Sequence, residues 1–143
     1  ISAIATVARL APGTPLLAVA PAVENMPGSH STRPGDVVRA LNGRWVDINN
    51  TDAEGRLILA DALTYCARKG ATRIMDMATL TGAIVVAIGE VYAGLFGSDA
   101  GFTELVREAG DETLAEIGRS YNVNGATISW LRAPETVVGT SWS

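Results

Sequence analysis

Cysteine, histidine and lysine are each present only once in this chain, as Cys66, His30 and Lys69. A single cysteine excludes an intrachain disulfide, and a composition of this kind fits a reducing compartment such as the cytoplasm. Cys66 lies within a helical pattern, where a small buried thiol is the ordinary interpretation. We therefore expect a cytoplasmic protein that does not depend on disulfides for its stability.

Strong positive charge and long apolar runs are also lacking. Fifteen acidic and eleven basic residues give a net charge of -4, and the arginines form no basic stripe. Trp45, Trp130 and Trp142 are too scattered to form a stacking platform for bases. Apolar stretches such as Ala83–Ile88 fall well short of the roughly 20 residues that span a bilayer. The sequence therefore predicts neither a nucleic-acid partner nor a membrane partner, and we see no signal peptide.

The apolar content is sufficient for a folded core. Of 143 residues, 48% are hydrophobic and 18% are charged, which argues against disorder. This length fits one domain or part of a larger one. The chain begins with Ile1 rather than Met, so we expect a processed product or a piece of a longer protein.

Helical and strand patterns alternate along the chain, which predicts an α/β fold with a mixed central sheet flanked by helices. The predicted elements are the end of a helix within 1–10, buried strands at 16–19 and 73–78, a hairpin over 36–48, and helices over 54–69 and 102–117. In the hairpin, Asn42 and Gly43 favour a tight turn, because both tolerate positive φ. Lys69 and Gly70 are typical of a helix C-terminus.

Three charged residues, Asp52, Glu54 and Arg56, alternate immediately before the most apolar helical segment. In an extended backbone they would face one side, where two carboxylates repel each other unless a cation or a proton lies between them. A divalent metal would fill that position, and the arginine would hold an anion nearby. A simpler interpretation is equally compatible with the spacing: Asp52 caps the helix, and the other two residues are surface charges of its first turn.

The wider context of these charges resembles the leucyl aminopeptidase, or cytosol aminopeptidase, family of two-metal peptidases. N-T-D-A-E-G-R-L-I-L-A-D-A-L at 50–63 is similar to the family signature almost word for word. P-A-V-E-N-M-P-G at 21–28, R-P-G-D-V-V at 33–38, D-M-A-T-L-T-G-A at 76–83 and a G-x-V-x-x-G-L-F run at 89–96 follow in the same order. G-T-S-W at 139–142 is similar to a late family motif. The resemblance extends over residues 1 to about 119.

This resemblance implies a function and a set of site residues. It implies that Asp52 and Glu54 bind metal, with Glu54 bridging two divalent ions (Zn, Mn or Mg), and that Arg56 holds a bicarbonate beside them. It implies that Thr79, Leu80 and Gly82 line the N-terminal residue of a peptide substrate. The reaction would be release of apolar, leucine-like N-terminal residues, by a homo-oligomer that is a hexamer in the family.

Parts of the family pattern are missing from the sequence. The further Lys and Asp ligands and the N-terminal domain of the family have no counterpart, so residues 1–143 are interpreted as a partial catalytic domain. Residues 122–143 compress the family's C-terminal region. A non-catalytic truncated homologue, acting as a folded or assembly module, is therefore the alternative function. Of the other candidates, His30 is interpreted as a loop residue, Asp61 as a helix-surface charge or interface contact, and Asp76 as a strand-end hydrogen-bonding residue.

Overall fold

The computed structural model describes residues 1–89, 92–112, 121–123 and 126–132. The chain divides into two compact units, Ile1–Asp76 and Met77–Ser143. The first unit contains α1 (Ser2–Leu10), β1 (Val37–Arg39), β2 (Trp45–Asp47), a 3-10 helix (Thr51–Ala53) and α2 (Glu54–Arg68). The second contains α3 (Ala83–Ile88), β3 (Tyr92–Gly97), α4 (Ala100–Glu112), β4 (Tyr121–Val123) and β5 (Ala126–Arg132). This mixture of helices and strands confirms the predicted α/β class.

The hairpin of β1 and β2 forms where the sequence predicts it, but its turn differs from the expected one. The strands pair antiparallel, and the amide of Gly43 donates to the carbonyl of Ala40 at 2.8 Å. Leu41 and Asn42 are therefore the central residues of the turn, and Gly43 follows them with φ of 88°. This is a three-residue loop whose last position takes the left-handed conformation. Glycine is favoured there because it has no Cβ to clash.

Helix α2 ends as its sequence predicts. Gly70 has φ of 86°, its amide donates to the carbonyl of Ala67 at 3.0 Å, and the amide of Ala71 donates to the carbonyl of Cys66 at 3.1 Å. Together these bonds form a Schellman motif, which satisfies carbonyls that the last helical turn would otherwise leave unpaired. Lys69 is the last residue before the left-handed glycine.

Two side chains of α2 hold the hairpin turn. The amide of Leu41 donates to Oδ1 of Asp61 at 2.7 Å, and Nη2 of Arg68 donates to the carbonyl of Leu41 at 2.7 Å. Both backbone groups of one turn residue are thus bound by one helix face, because residues seven apart lie two turns apart on the same side. Asp61 therefore has a structural contact with the hairpin.

In the second unit the described strands form a sheet of order β3-β5-β4, with both pairs antiparallel. Helices α3 and α4 pack against β3, and α4 also packs against β5. Asp99 starts α4, since its Oδ1 accepts from the amide of Phe102 at 2.6 Å. A Cβ at Gly97 would overlap the hydroxyl of Thr103, so the close approach of strand and helix requires glycine. Helix α4 covers most of the predicted helix at 102–117, of which 113–117 lie outside the described residues.

The two predicted buried strands at 16–19 and 73–78 are wrong. Neither segment forms a strand, and their apolar side chains are largely exposed: Leu16 by 48%, Leu17 by 46% and Met75 by 55%. A strand needs a neighbour for its backbone hydrogen bonds, and the described part of the chain pairs no strand with either segment. An apolar run alone therefore did not determine the conformation.

Candidate active site

The charged triplet does not lie in an extended backbone. Asn50 is extended, with φ of -134° and ψ of 117°, and its Oδ1 accepts from the amide of Asp52 at 3.0 Å. From there the chain turns through the 3-10 helix directly into α2, whose first residue is Glu54. Consecutive side chains are therefore rotated around a helix and do not alternate across a strand. The expectation that Asp52, Glu54 and Arg56 face one side through extension is wrong. Asp52 does not cap α2 either, because Asn50 caps the 3-10 helix and α2 begins without a side-chain cap.

Glu54 has the most unusual environment of the three. Its Oε1 accepts a hydrogen bond from Nδ2 of Asn25 at 3.3 Å. Its Oε2 is buried and receives no hydrogen bond from any residue that the structure describes. Buried polar atoms are nearly always paired, and an unpaired buried acceptor costs about 1–3 kcal/mol. The described residues therefore leave one oxygen of Glu54 without a donor, whereas the other oxygen has one.

Asp52 and Arg56 are exposed on either side of Glu54 in sequence. The amide of Asp52 donates to Oδ1 of Asn50 at the start of the 3-10 helix. Both carboxylates lie at the beginning of a 15-residue helix, where the backbone dipole favours negative charge. Asp52 belongs to the 3-10 helix and Glu54 is the first residue of α2, so the two carboxylates are close in sequence at one helix N-terminus.

These residues fit part of a metal site. Carboxylate oxygens are hard ligands suited to Mg²⁺, Mn²⁺ and Zn²⁺, and a cation would satisfy the buried Oε2 of Glu54. Within the described ranges, however, no group of three or more His, Cys, Asp or Glu side chains is close enough to hold an ion. Asp52 and Glu54 could supply carboxylates to a site but could not by themselves complete its coordination.

The segment predicted to line the substrate lies in the second unit. Thr81 is 3% exposed, and its hydroxyl accepts from the amide of Ala83 at 3.1 Å, which orders the start of α3. Around this anchor, Thr79 and Gly82 are exposed and Leu80 is half-buried. Gly82 has φ of -66°, and a Cβ there would meet no atom within 4 Å. The structure thus leaves open space at Gly82 that another molecule could approach.

The structure also locates the remaining candidates. His30 is exposed in the loop before the hairpin, as its interpretation as a loop residue predicts, and Asp76 is exposed in a segment that is not a strand. An open cavity of about 420 Å³ lies at the hairpin turn. It is lined by Arg39, Ala40, Leu41, Asn42, Gly43 and Arg68. None of the predicted site residues borders it, so we do not assign the function to that cavity. The G-T-S-W motif at 139–142 and the compressed region after 132 lie outside the described residues.

Sequence reasoning missed Asn25 as a site residue. It lies in the stretch P-A-V-E-N-M-P-G, which carries part of the family resemblance, but nothing local distinguishes it from a loop asparagine. Only the fold reveals the contact, because Asn25 and Glu54 are 29 residues apart in the chain.

Comparison with known proteins establishes the class. The family model described as "Cytosol aminopeptidase family, catalytic domain" matches residues 1–119. A probable cytosol aminopeptidase of Solibacter usitatus is 55% identical over 109 residues, which are 76% of this chain and 23% of the relative. One from Polaromonas naphthalenivorans is 50% identical over 107 residues, 75% of this chain and 21% of the relative.

A solved structure agrees. A mutant of tomato leucine aminopeptidase superposes with a TM-score of 0.59 at 48% identity, over 63% of this chain and 18% of that one. The chain therefore belongs to the cytosol aminopeptidase family, and residues 1–119 are similar to its catalytic domain. It spans about a fifth of the length of the relatives it matches. The described residues include no helix long and apolar enough to cross a membrane.

Proposed function

We propose that the protein is a metal-dependent aminopeptidase that releases apolar, leucine-like N-terminal residues from peptides. The observation that supports this most strongly is the buried Oε2 of Glu54, which lacks a hydrogen-bond donor among the described residues. It belongs to the segment that most closely resembles the family signature. A hydrolase of the cytosol aminopeptidase family gives such an atom a natural partner in a divalent cation.

In this proposal Glu54 and Asp52 bind two divalent ions together with ligands that lie outside the described contacts. Bound ions of this kind polarise a scissile carbonyl and lower the pKa of a bound water. The carboxylate of Glu54 would be held in position, because α2 fixes its backbone and Asn25 donates to Oε1. Asp52 would bring a second negative charge to the same helix end. Zn, Mn or Mg all suit carboxylate oxygens.

Arg56 would hold a small anion beside the carboxylates, with bicarbonate as the family candidate. A guanidinium is always charged and presents paired N–H groups that match an oxyanion. It lies in the first turn of α2, where the helix N-terminus adds positive potential. An anion held there could accept and return the proton of the attacking water.

Thr79, Leu80 and Gly82 would form the surface that receives the first residue of the substrate. The buried Thr81 lies between Leu80 and Gly82, and its hydroxyl accepts from the amide of Ala83, which anchors this segment to the start of α3. The open space at Gly82 would accommodate an apolar side chain, and the half-buried Leu80 would supply apolar contact. We also propose a cytoplasmic location and assembly into a hexamer, as the family resemblance implies; sedimentation of the purified protein would test the assembly.

The test is hydrolysis of a chromogenic leucyl amide by the chelator-treated protein, with and without added Mn²⁺ or Zn²⁺. We expect metal-dependent turnover that falls by at least about 100-fold in Glu54→Gln, since a ligand carboxylate is lost. Glu108→Gln is the matched control, because Glu108 is an exposed helical glutamate remote in sequence from the motif. Metal-independent turnover, or equal turnover by Glu54→Gln, would contradict the proposal.

One observation favours the alternative function, a folded module without catalysis. The described residues bring together no three metal-ligating side chains, and two carboxylates do not complete a two-metal site. In that case the purified protein would contain no stoichiometric metal and would not hydrolyse the leucyl amide. A metal count per chain, made alongside the activity assay, distinguishes the two functions.

A further inference from the structure

A side-chain hydrogen bond joins the loop before the hairpin to the beginning of α2. Nδ2 of Asn25 donates to Oε1 of Glu54 at 3.3 Å. We propose that Asn25 is a positioning residue, which holds the Glu54 carboxylate so that its buried Oε2 faces a divalent cation. This inference rests on the proposed metallopeptidase function and adds to it a residue that does not itself contact the ion.

The orientation of the Glu54 carboxylate depends on its contact with Asn25. The last torsion of a glutamate side chain has no sharp rotamer preference, so an unsupported carboxylate samples a broad range of orientations. An ionised carboxylate can only accept, hence the amide nitrogen of Asn25 must be the donor in this contact. Because the two oxygens are rigidly connected, fixing Oε1 through Asn25 also fixes the direction of Oε2.

The two oxygens of the Glu54 carboxylate have different surroundings. Oε1 has a protein donor, whereas Oε2 is buried and has none among the described residues. If Asn25 only tethered the loop to the helix, nothing would require the other oxygen to be buried and unpaired. The division fits a ligand whose one oxygen is oriented by the protein and whose other oxygen is reserved for a cation.

The size of the effect follows from similar contacts in metal sites. Residues that orient a ligand typically change metal affinity by about 10–100-fold when they are removed. The Asn25 contact is long and Asn25 is exposed, so the lower end of this range applies. We therefore expect that loss of the Asn25 donor weakens metal binding by about tenfold.

The experiment compares Asn25→Leu, Asn25→Gln and Glu24→Leu in the purified protein. Leucine has nearly the shape of asparagine but no donor, and glutamine keeps the donor on a longer side chain. Glu24 is the matched control, because it is the exposed neighbour in the same loop and makes no described hydrogen bond. Zn²⁺ affinity is measured by competition with a chelating dye, and unfolding by urea is measured with and without saturating Zn²⁺.

We expect Asn25→Leu to bind Zn²⁺ about tenfold more weakly, Asn25→Gln to recover part of that loss, and Glu24→Leu to match the parent. The stabilisation gained from a fixed Zn²⁺ concentration should fall by about 1.4 kcal/mol in Asn25→Leu, which is the equivalent of tenfold in affinity. A tether alone would instead lower the stability of the metal-free and metal-bound proteins equally.

Two outcomes would overturn the inference while leaving the proposed function intact. One is a parent protein that binds Zn²⁺ and an Asn25→Leu variant that binds it equally well. The other is an equal weakening by leucine and glutamine, which would indicate a packing role instead of a donor role. A parent protein that binds no divalent ion and hydrolyses no leucyl amide would overturn the proposed function and this inference together.

Discussion

Replacing Glu54 with methionine should raise the stability of the metal-free protein and lower that of the metal-bound protein. Methionine has nearly the same length as glutamate but no oxygen. Removing the unpaired Oε2 relieves a burial penalty of about 1–3 kcal/mol. The same change loses the hydrogen bond from Asn25, which at 3.3 Å and in an exposed location contributes about 0.5–1 kcal/mol. The balance favours Glu54→Met by about 1 kcal/mol without metal.

Bound metal should reverse the sign of this stability difference between Glu54→Met and the parent. An ion that binds only the folded state, present at a thousand times its dissociation constant, stabilises the parent by about 4 kcal/mol. Glu54→Met should receive little of this, because it lacks the ligand oxygen. The parent should therefore be the less stable protein in chelator and the more stable one in saturating Zn²⁺.

Urea unfolding of the two proteins under both conditions is the assay, with Glu108→Met as a control that should change the free energy of unfolding by less than about 0.5 kcal/mol. The reasoning is refuted if Glu54→Met is clearly less stable than the parent in chelator. That result would mean that a stabilising partner already satisfies Oε2 in the absence of a cation.

Three further predictions follow from the described contacts. Asp61→Ala should lower the free energy of unfolding by about 1.5 kcal/mol, because it leaves the turn amide without its charged acceptor; urea unfolding measures this. Gly82→Ala should change stability by less than about 0.5 kcal/mol, since its φ and surroundings accept a Cβ, and yet raise KM for the leucyl amide if the segment receives substrate. Gly70→Ala is the matched comparison, because a Cβ at Gly70 also meets no atom within 4 Å. The φ of 86° at Gly70 should make this substitution lower the free energy of unfolding by about 1 kcal/mol, with KM unchanged. The hydrogen bond and charge of Arg107 lower the pKa of Glu104 below its ordinary value. This pair therefore stabilises the protein fully above the unfolded pKa, and the effect is lost as pH falls through the folded pKa. The parent should exceed Glu104→Gln in stability at neutral pH and converge with it in acid, as urea unfolding across pH would measure; a constant difference across pH would contradict this.

Elements that depend on nearby residues were predictable from sequence. The course of α2 and its end at Gly70 follow from helical periodicity and a C-terminal glycine, and the observed Schellman bonds confirm them. The hairpin was located correctly. Its turn differs from the expected one, because only Gly43, and not the Asn42-Gly43 pair, has a positive φ. Such features are encoded within a few consecutive residues.

Features that depend on distant partners were not predictable from local pattern. The runs at 16–19 and 73–78 are apolar enough for strands, but a strand is defined by the neighbour to which it bonds. The extended spacing assumed for Asp52 and Glu54 failed because Asn50 binds the amide of Asp52 and starts the helical turn earlier. The contact of Asn25 with Glu54 needed the fold, since no periodicity connects a loop residue with a helix 29 positions later.

The central claim is that Oε2 of Glu54 is a metal ligand. A crystal structure of the purified protein soaked in Zn²⁺, with anomalous data collected at the zinc edge, tests it directly. The account predicts an anomalous peak about 2.0–2.2 Å from Oε2, with Asn25 still bound to Oε1. A map without a peak at that position, in which a protein donor or water satisfies Oε2 instead, would contradict it.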